Sequence, residues 1–431
     1  MTISMTALII VFVVTVVFGV PVAFCLGLAG LAFILLSPTL PANIMPTIMF
    51  GAVDSFPLMA IPFFIMAGDV ISRAGILPRL IDFADALVGH FRGGLAQVTI
   101  IATLFFAGVT GVALAEAAAV GAMLIPSMVR QGYSAPYAAA LVSSSSVVGA
   151  IIPPSVGMII FAHVYGSGIS VGKMFLCGDI PGLMIIAALM ISVYIQSYYK
   201  TAIPKVKKFQ FANVVRTFPG ALLGLMVPVI IRGGIISGMF TPTESGAVAV
   251  MYGLLVGFFI TRNLTLNDVK ESVLRSCKAS CVVMILMATA KIISWILISH
   301  QIPHQLAQVF TAGISSPQVF LLVSMGIFLL LGFVMEGLAI MIMLTPVLGP
   351  LAVTYGIDPH VFGLLVVMTV QIALITPPVA LALFIVTPLA NCTVMEAAKE
   401  IWMFLSAIAL VIVLIIFFPE IALWLPSKLG Y

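Results

Sequence analysis

Long apolar runs that carry almost no charge dominate this chain. Only 7% of its residues are charged and 62% are hydrophobic, too little charge to cover a water-soluble domain of this size. A helix crosses a bilayer with about 20 apolar residues. Runs of this length occupy 6–36, 45–72, 136–165, 174–199, 218–237, 241–261, 279–299, 361–388 and 402–424. The pattern predicts an all-α polytopic membrane protein with about nine crossings, and the continuous runs exclude an alternating β-barrel.

Two further apolar blocks, 93–129 and 317–353, are interrupted in the middle. The interruptions lie at 109–113 in the first block and at 332–337 in the second. Each half is short for a full crossing, so each block is predicted to form a re-entrant hairpin. Backbone can leave the helical path at membrane depth only where protein or water supplies hydrogen-bond partners.

Basic residues collect on one side of the predicted spans, as expected for the cytoplasmic side. We predict a cytoplasmic N-terminus that is a retained first span, and a periplasmic C-terminus. In this topology Lys173 and Lys428 lie on the periplasmic side, and Arg232 and Lys291 lie within spans. The cytoplasmic set is Arg73, Arg79, Arg92, Arg130, Lys200, Lys205, Lys207, Lys208, Arg216, Arg262, Lys270, Arg275, Lys278 and Lys399.

The two halves of the chain share one pattern at an offset of about 220–225 residues. Glu116 corresponds to Glu336, Pro126 to Pro346, and the segment 150–155 to 374–379, with Pro-Pro in both. The predicted topology gives the copies opposite orientations. Inverted repeats with broken helices are typical of secondary transporters, which bind substrate near the membrane midplane.

The repeat and the charge pattern divide the chain into six predicted segments. In each repeat a hairpin precedes a broken helix and a final span. The segments are scaffold spans (1–72), a cytoplasmic amphipathic arm helix (73–92), transport repeat 1 (93–199), cytoplasmic loops with scaffold spans (200–299), a periplasmic arm helix (300–316) and transport repeat 2 (317–431).

Polar groups lie close to both predicted helix breaks. Pro153-Pro154 follows the serines 143–146, and Thr376 precedes Pro377-Pro378. Hydroxyls and unwound carbonyls are ligands that suit Na⁺, and free helix N-termini suit a carboxylate. The alternative is a proline kink whose serines bond back to their own helix.

Three charged residues at membrane depth have two interpretations each. Glu116 and Glu336, just past the hairpin tips, are predicted to hold Na⁺ or a proton, or to cap their own half-helices. Arg232 either clamps a substrate carboxylate or pairs with Glu244, and the pair is favoured.

Motifs for other chemistry are missing from the sequence. It contains no GxxxxGK[ST] nucleotide loop and no HExxH arrangement, its cysteines form no CxxC pair, and its histidines offer metal-ligand spacing only in the loose pair His300 and His304, where a zinc site is not expected. We therefore predict that the chain is not an enzyme, takes no organic cofactor and binds no nucleic acid. Its energy source is predicted to be an ion gradient or a partner.

Three segments, 56–68, 149–155 and 238–244, carry a family resemblance that extends over essentially the whole chain. The chain resembles the large, DctM-like membrane subunit of tripartite ATP-independent periplasmic (TRAP) transporters. That resemblance implies an elevator-type, sodium-driven importer of organic acids in the bacterial inner membrane. It also implies a separate small four-helix membrane subunit, a soluble periplasmic substrate-binding protein and contact with membrane lipid.

The resemblance and the breaks together give a candidate site. The predicted substrate-binding residues are Thr110, Gly111, Ser145, Pro153, Pro154, Arg232, Thr376 and Pro377. The predicted sodium ligands are Thr110, Glu116, Ser144, Gly149, Gly332, Glu336 and Thr376. Two positions depart from the family pattern, because Val112 has no hydroxyl and Glu116 stands where family members often carry Asp.

Two other functional classes fit parts of the pattern. A stand-alone sodium/dicarboxylate elevator symporter would need no binding protein. An ion channel would show a continuous polar pore, whereas this sequence predicts occluding hairpins.

Overall fold

The computed structural model describes residues 3–38, 40–41, 43–166, 168–199, 209–314 and 316–431. Within these ranges the chain is helical and contains no strand, as the all-α prediction requires. Eight helical stretches there are long and apolar enough to cross a membrane, and several shorter apolar helices accompany them. The basic residues Lys200, Lys205, Lys207 and Lys208 lie outside the described residues.

The helices follow one another without long interruptions. In the first half they are α1 (Ile3–Val17), α2 (Val22–Leu35), α3 (Ile44–Val53), α4 (Ala60–Arg73), α5 (Ile76–Val88), α6 (Gly94–Thr110), α7 (Ala113–Arg130), α8 (Ala135–Ser146), α9 (Val156–Tyr165) and α10 (Val171–Tyr199). In the second half they are α11 (Phe211–Ile236), α12 (Pro242–Leu255), α13 (Leu266–Ser299), α14 (Ile302–Gly313), α15 (Pro317–Gly332), α16 (Gly337–Thr354), α17 (Pro359–Ile375), α18 (Leu381–Ala390), α19 (Val394–Phe417) and α20 (Glu420–Lys428).

Two apolar runs that predicted single helices are broken. The run 6–36 is broken into α1 and α2 because Gly19 takes a left-handed φ of +74° and Pro21 follows two residues later. The two helices pack on each other. The run 45–72 forms α3 and α4, separated by a short 3-10 helix at Phe56–Met59. Gly19 and Pro21 in the first run, and Asp54, Ser55 and Pro57 in the second, were the sequence signs of these breaks, and average hydrophobicity concealed them.

Other boundaries differ because the length of an apolar run and the length of the helix do not coincide. The run 279–299 belongs to α13, which begins at Leu266, where Thr265 and Asp268 form a reciprocal capping box. The predicted span 402–424 ends at Phe417 in α19, and Pro419 precedes the separate helix α20. Charged and capping residues extend a helix beyond the part that an apolar run reveals.

The two repeats pack on each other in a reciprocal way. The second arm of the first hairpin, α7, packs on α18, which is the second half of the second broken helix. The second arm of the other hairpin, α16, packs on α9, the second half of the first broken helix. Each repeat therefore completes the other, and the breaks of both meet in one region.

The remaining helices surround this region. The long helix α13 packs on α2, α3, α4 and α16, and α4 packs on α12. The amphipathic helix α5 packs on α6 and α11 through buried residues that include Ile76, Leu80 and Phe83. The second amphipathic helix, α14, follows α13.

Asp358, the residue before α17 in the second half of the chain, forms an ion pair with Lys173 of α10 in the first half. The carboxylate caps α17 by accepting hydrogen bonds from the backbone N–H of His360 (2.7 Å) and from its Nδ1 (2.8 Å). Lys173 at the start of α10 contributes an ion pair at 3.3 Å. Burial raises the pKa of Asp358, but these hydrogen bonds and the lysine charge outweigh burial and leave the pKa below its usual range.

We expect Asp358→Asn to lower the free energy of unfolding by about 1–2 kcal/mol at pH 7, because charge-assisted hydrogen bonds are lost. A carboxylate with a depressed folded pKa stabilises above its unfolded pKa of about 3.9, and this contribution is lost as the pH falls toward the folded value. The thermal unfolding midpoints of the wild type and of Asp358→Asn in detergent should therefore approach each other as the pH falls below about 4. The exposed Lys428→Gln serves as the control, and a difference that stays constant down to pH 3 would contradict the account.

Arg232 of α11 reaches across to the first repeat. Its Nη1 lies 2.7 Å from Asp179 Oδ1 of α10, and its Nε and Nη2 donate to the Pro153 carbonyl oxygen at 3.2 and 3.0 Å. The favoured pairing with Glu244 is wrong. The Glu244 carboxylate instead accepts from the backbone N–H and hydroxyl of Thr241 in the capping box of α12. The Glu244 carboxylate therefore bonds Thr241, three residues away on its own helix, and not the more distant guanidinium of Arg232.

We expect Arg232→Met and Asp179→Asn each to lower stability by about 2 kcal/mol. Breaking a fully buried pair costs about 3–5 kcal/mol, and both side chains here are partly exposed. The double variant should lose less than the two single losses together, since each single change leaves an unpaired charge. Unfolding midpoints in nanodiscs measure this, with Arg216→Gln on the exposed face of α11 as the control. Strictly additive losses would contradict the pairing.

Candidate functional site

The first hairpin turns at Gly111 and Val112, between α6 and α7. Gly111 has a left-handed φ of +65°, and a Cβ there would overlap the Pro154 carbonyl oxygen. The Gly111 carbonyl accepts a hydrogen bond from the backbone N–H of Val156 at 3.2 Å. The tip is therefore fastened to the start of α9, and only glycine fits this approach.

Glu116, in the first turn of α7, is fully buried. Thr110 donates its hydroxyl hydrogen to Glu116 Oε1 at 2.6 Å, while Oε2 has no hydrogen-bond partner among the described residues. Gly149 lies directly against this carboxylate, and a side chain there would overlap it. Glu116 does not cap its own helix, because its carboxylate bonds the threonine instead. A buried carboxylate with a free oxygen needs a cation or a proton.

The four serines 143–146 at the end of α8 differ in their hydrogen bonding. Ser145 and Ser146 bond back to carbonyls of their own segment, Leu141 and Ser143, at 2.8 Å. The buried hydroxyls of Ser143 and Ser144 have no partner among the described residues. Ser145 thus follows the back-bonding alternative, whereas Ser144 keeps an oxygen available for a ligand.

The break of the first broken helix is stabilised locally. A 3-10 turn at Val147–Ala150 follows α8, and the Pro153-Pro154 peptide bond is cis. The Ser155 hydroxyl donates to the Ala150 carbonyl at 2.5 Å and accepts from the Met158 N–H at the start of α9. Arg232 bonds the Pro153 carbonyl from outside, so this proline is held by the protein and does not face the cavity described below.

The second repeat is built on the same plan with different side chains. Glu336 is the N-cap residue of α16 but makes no side-chain cap bond, and it is only partly buried. Side chains on Gly332 or Gly337 would collide with Ala373 or Val370, so the second tip packs closely on α17. Thr376 bonds back to the Ile372 carbonyl at 2.7 Å, ahead of the cis Pro377-Pro378 bond.

A cavity of about 290 Å³ lies where both tips and both breaks meet. It is lined by 111–114 and 336–338 of the tips, by Ala150, 156–157, Val370, Gln371 and Leu374 of the broken helices, by Ile65 of α4, and by Ala279 and 282–283 of α13. Three helices, α7, α9 and α16, begin at its wall, so their backbone N–H groups make it favourable for an anion. Apart from Glu336 and Gln371, the side chains that line it are apolar.

Of the predicted site residues, Gly111 and Glu336 line this cavity. Thr110 lines a neighbouring cavity of about 470 Å³, which also contains Asp69 and Arg275. Arg232 lines a separate cavity of about 680 Å³ together with Asp179. The predicted residues Ser145, Pro153, Thr376 and Pro377 do not line the cavity of about 290 Å³. Pro154 sits against Gly111 through its carbonyl group.

Sequence reasoning missed Gln371. This side chain lines the cavity, is 7% exposed, and leaves its Oε1 without a partner among the described residues. Its signal was the single amide in the run 361–375, one turn and a half before Thr376, and the other polar side chain in that run is Thr369.

The fold is similar to that of one solved transporter. The crystal structure of the Alcanivorax borkumensis YdaH transporter covers 99% of this chain and 100% of its own, with a TM-score of 0.68 at 13% identity. The likeness shows a shared fold.

Sequence comparisons give the family. A family model described as "Tripartite ATP-independent periplasmic transporter, DctM component" matches residues 9–421. The sialic acid TRAP transporter large permease protein SiaM of Vibrio cholerae is 36% identical over 96% of both chains. The C4-dicarboxylate TRAP transporter large permease protein DctM of Pseudomonas aeruginosa is 37% identical over 94% of both chains. The chain therefore belongs to the DctM family, the large permease component of tripartite ATP-independent periplasmic transporters.

Proposed function

We propose that this chain is the transport subunit of a sodium-driven importer that carries an organic acid anion across the bacterial inner membrane. A small four-helix membrane subunit and a periplasmic substrate-binding protein complete the importer. Family membership supports this assignment, and relatives named for sialic acid and C4-dicarboxylates support an organic acid as the cargo. The observation that carries the proposal is the cavity at which both hairpin tips, both helix breaks and three helix N-termini meet.

Sodium is the proposed coupling ion at Glu116. The carboxylate balances the cation charge, and the free Oε2 and the Thr110 hydroxyl supply hard oxygen ligands. Gly149 lies directly against this carboxylate, and the neighbouring helix α8 carries the buried, unpartnered hydroxyl of Ser144. Glu336, Gly332 and Thr376 form the corresponding proposed sodium region of the second repeat. Bound sodium would order the tips and raise substrate affinity, and the substrate would raise sodium affinity equally.

Transport is proposed to follow an elevator movement. The hairpins and broken helices interlock as one body, because each repeat packs on the other. Helices α4 and α13 line the opposite cavity wall. Sliding the interlocked body along these helices would carry the cavity from one side of the membrane to the other.

Uptake into proteoliposomes tests the whole assignment. The chain is co-purified with its small subunit, and radiolabelled organic acids are offered with and without an inward sodium gradient and the binding protein. We expect uptake that requires both. Sodium-driven uptake without a binding protein would identify a stand-alone symporter, and uptake that follows a proton gradient alone would exclude sodium coupling.

We expect Glu116→Gln to reduce sodium-driven uptake about tenfold or more, because the amide removes the charge that balances the cation. Gly149→Ala should act in the same direction, since its methyl group takes the space of the Glu116 carboxylate. The exposed Glu420→Gln is the matched control. Sodium concentration dependence of uptake measures the effect. If Glu116→Gln keeps the wild-type dependence, Glu116 is not a sodium ligand.

A further inference from the structure

We propose that two polar contacts at one end of the molecule, made by Arg232 and by His163, are latches that hold the transporter in an inward-facing conformation. Each latch joins the interlocked body, formed by α6–α10 and α15–α20, to the scaffold, formed by α1–α4 and α11–α13. This inference rests on the proposed function, because it assumes that the body slides along the scaffold.

The first latch is Arg232 of the scaffold helix α11. Its guanidinium pairs with Asp179 of α10 at 2.7 Å and donates to the Pro153 carbonyl oxygen at 3.0 and 3.2 Å. One side chain thus holds a helix of the body together with the break of its first broken helix. Helix α11 packs on α12, and α12 packs on α4, which places Arg232 in the scaffold. Charge-assisted hydrogen bonds of this kind are stronger than neutral ones.

The interface around Arg232 is incompletely packed. A cavity of about 680 Å³ lies between α11 on one side and α6 and α10 on the other, and its walls are apolar apart from Arg232 and Asp179. Apolar side chains beside a gap can slide without losing hydrogen bonds, whereas the ion pair cannot. A shift of one helical turn, about 5.4 Å, would separate the guanidinium from a carboxylate that lies at 2.7 Å. The body can therefore slide only if this contact breaks.

The second latch is His163, near the end of α9. Its Nε2 donates to the Ala52 carbonyl oxygen of α3 at 3.3 Å, and its Nδ1 accepts from the Ser55 hydroxyl at 3.2 Å. A neutral imidazole makes this pair of bonds, with one nitrogen as donor and the other as acceptor. Ser55 lies between α3 and α4, and α9 packs on the 3-10 helix that follows it. His163 thus joins the body to the scaffold independently of Arg232.

Both latches lie at the predicted periplasmic end. Ser55 precedes α4, whose other end carries Arg73, one of the basic residues that the charge pattern assigns to the cytoplasm. Arg232 lies near the end of α11, whose start carries the predicted cytoplasmic Arg216. The two bonded contacts are therefore on the same side of the membrane.

The predicted cytoplasmic end has a cavity between scaffold and body. This cavity of about 470 Å³ is lined by α4 and α13 of the scaffold and by α6 and α7 of the body, and it contains Asp69, Ser72 and Arg275. Scaffold and body are thus bonded at the periplasmic end and have polar, water-sized space between them at the cytoplasmic end. An inward-facing conformation has this arrangement, and contacts made in only one conformation raise the population of that conformation.

The distance between scaffold and body tests the latches. Spin labels are attached at Leu266→Cys, at the start of α13, and at Met395→Cys, at the start of α19, where both native side chains are exposed. The native cysteines that are not buried, Cys277, Cys281 and Cys392, are replaced by serine. Pulsed electron paramagnetic resonance measures the distances between the labels in the complex with the small subunit in nanodiscs. Because sliding changes this distance, each distance reports one conformation.

We expect one main distance in the wild type, and about a tenfold rise in the share of a second distance in Arg232→Met, because only the latched conformation loses charge-assisted hydrogen bonds. Arg232→Lys still allows the pair with Asp179 and should restore part of the wild-type ratio. His163→Phe keeps a ring but makes neither bond, and should shift the ratio about threefold in the same direction. Arg216→Gln on the exposed face of α11 is the matched control and should leave the ratio unchanged.

A purely structural role would lower the unfolding midpoint and leave the distance ratio unchanged. That result in Arg232→Met and His163→Phe would overturn the inference, and in one of them it would remove that residue as a latch. His163→Phe keeps the test decisive if Arg232→Met does not fold. Unshifted distances with normal wild-type uptake would overturn the latches alone, whereas failure of the wild type to take up any organic acid with sodium and the binding protein would overturn the proposed function.

Discussion

Backbone hydrogen bonding in lipid is the constraint on which the rest of this structure depends. A helix break at membrane depth exposes N–H and C=O groups that water does not reach, so protein must bond them. The Gly111 carbonyl receives the Val156 N–H, the Ala150 carbonyl receives the Ser155 hydroxyl, and the Pro153 carbonyl receives Arg232. Breaks are thus possible only where two elements meet, which is why the tips and the broken helices gather around one cavity.

The two repeats use this plan for different purposes. In the first, Glu116 is fully buried, bonded by Thr110 and backed by Gly149, which suits a cation that must lose its water. In the second, Glu336 is partly exposed and lines the cavity with Gln371. On the proposed mechanism the first repeat therefore holds the sodium ion more tightly, and the second determines more of the substrate selectivity.

A second cavity adjoins the first on one side of Val112. The two cavities share Ile65, Val112 and Ala279, but the second also contains Asp69 and Arg275. Arg275 is one of the basic residues that the charge pattern assigns to the cytoplasm. The apolar cavity therefore adjoins a larger, more polar one, which the charge pattern predicts to lie on the cytoplasmic side. On the proposed mechanism an anion released past Val112 meets a region where water and a cation take over its solvation.

Sequence alone determined the fold class, the hairpins and the broken helices, because apolar length, Gly and Pro act locally. It did not find the breaks at 18–21 and 54–59, although Gly19 and Pro21 mark the first and Asp54, Ser55 and Pro57 mark the second, because each run was long and apolar enough on average to be taken as one span. Nor did it find the partner of Arg232, because Asp179 is distant in sequence and only the packing of α10 on α11 brings the two together.

The same division applies to the site. Glu116, Glu336 and the Pro-Pro pairs were recognisable because charge and proline are costly in an apolar helix. Whether each hydroxyl bonds its own helix or stays free depends on neighbouring helices, so Ser144 and Ser145 differ although they are adjacent. The sequence by itself determined that this chain spans a membrane through two inverted repeats with broken helices. Only the tertiary structure decided which side chains face one cavity, because that depends on how separate helices pack against one another.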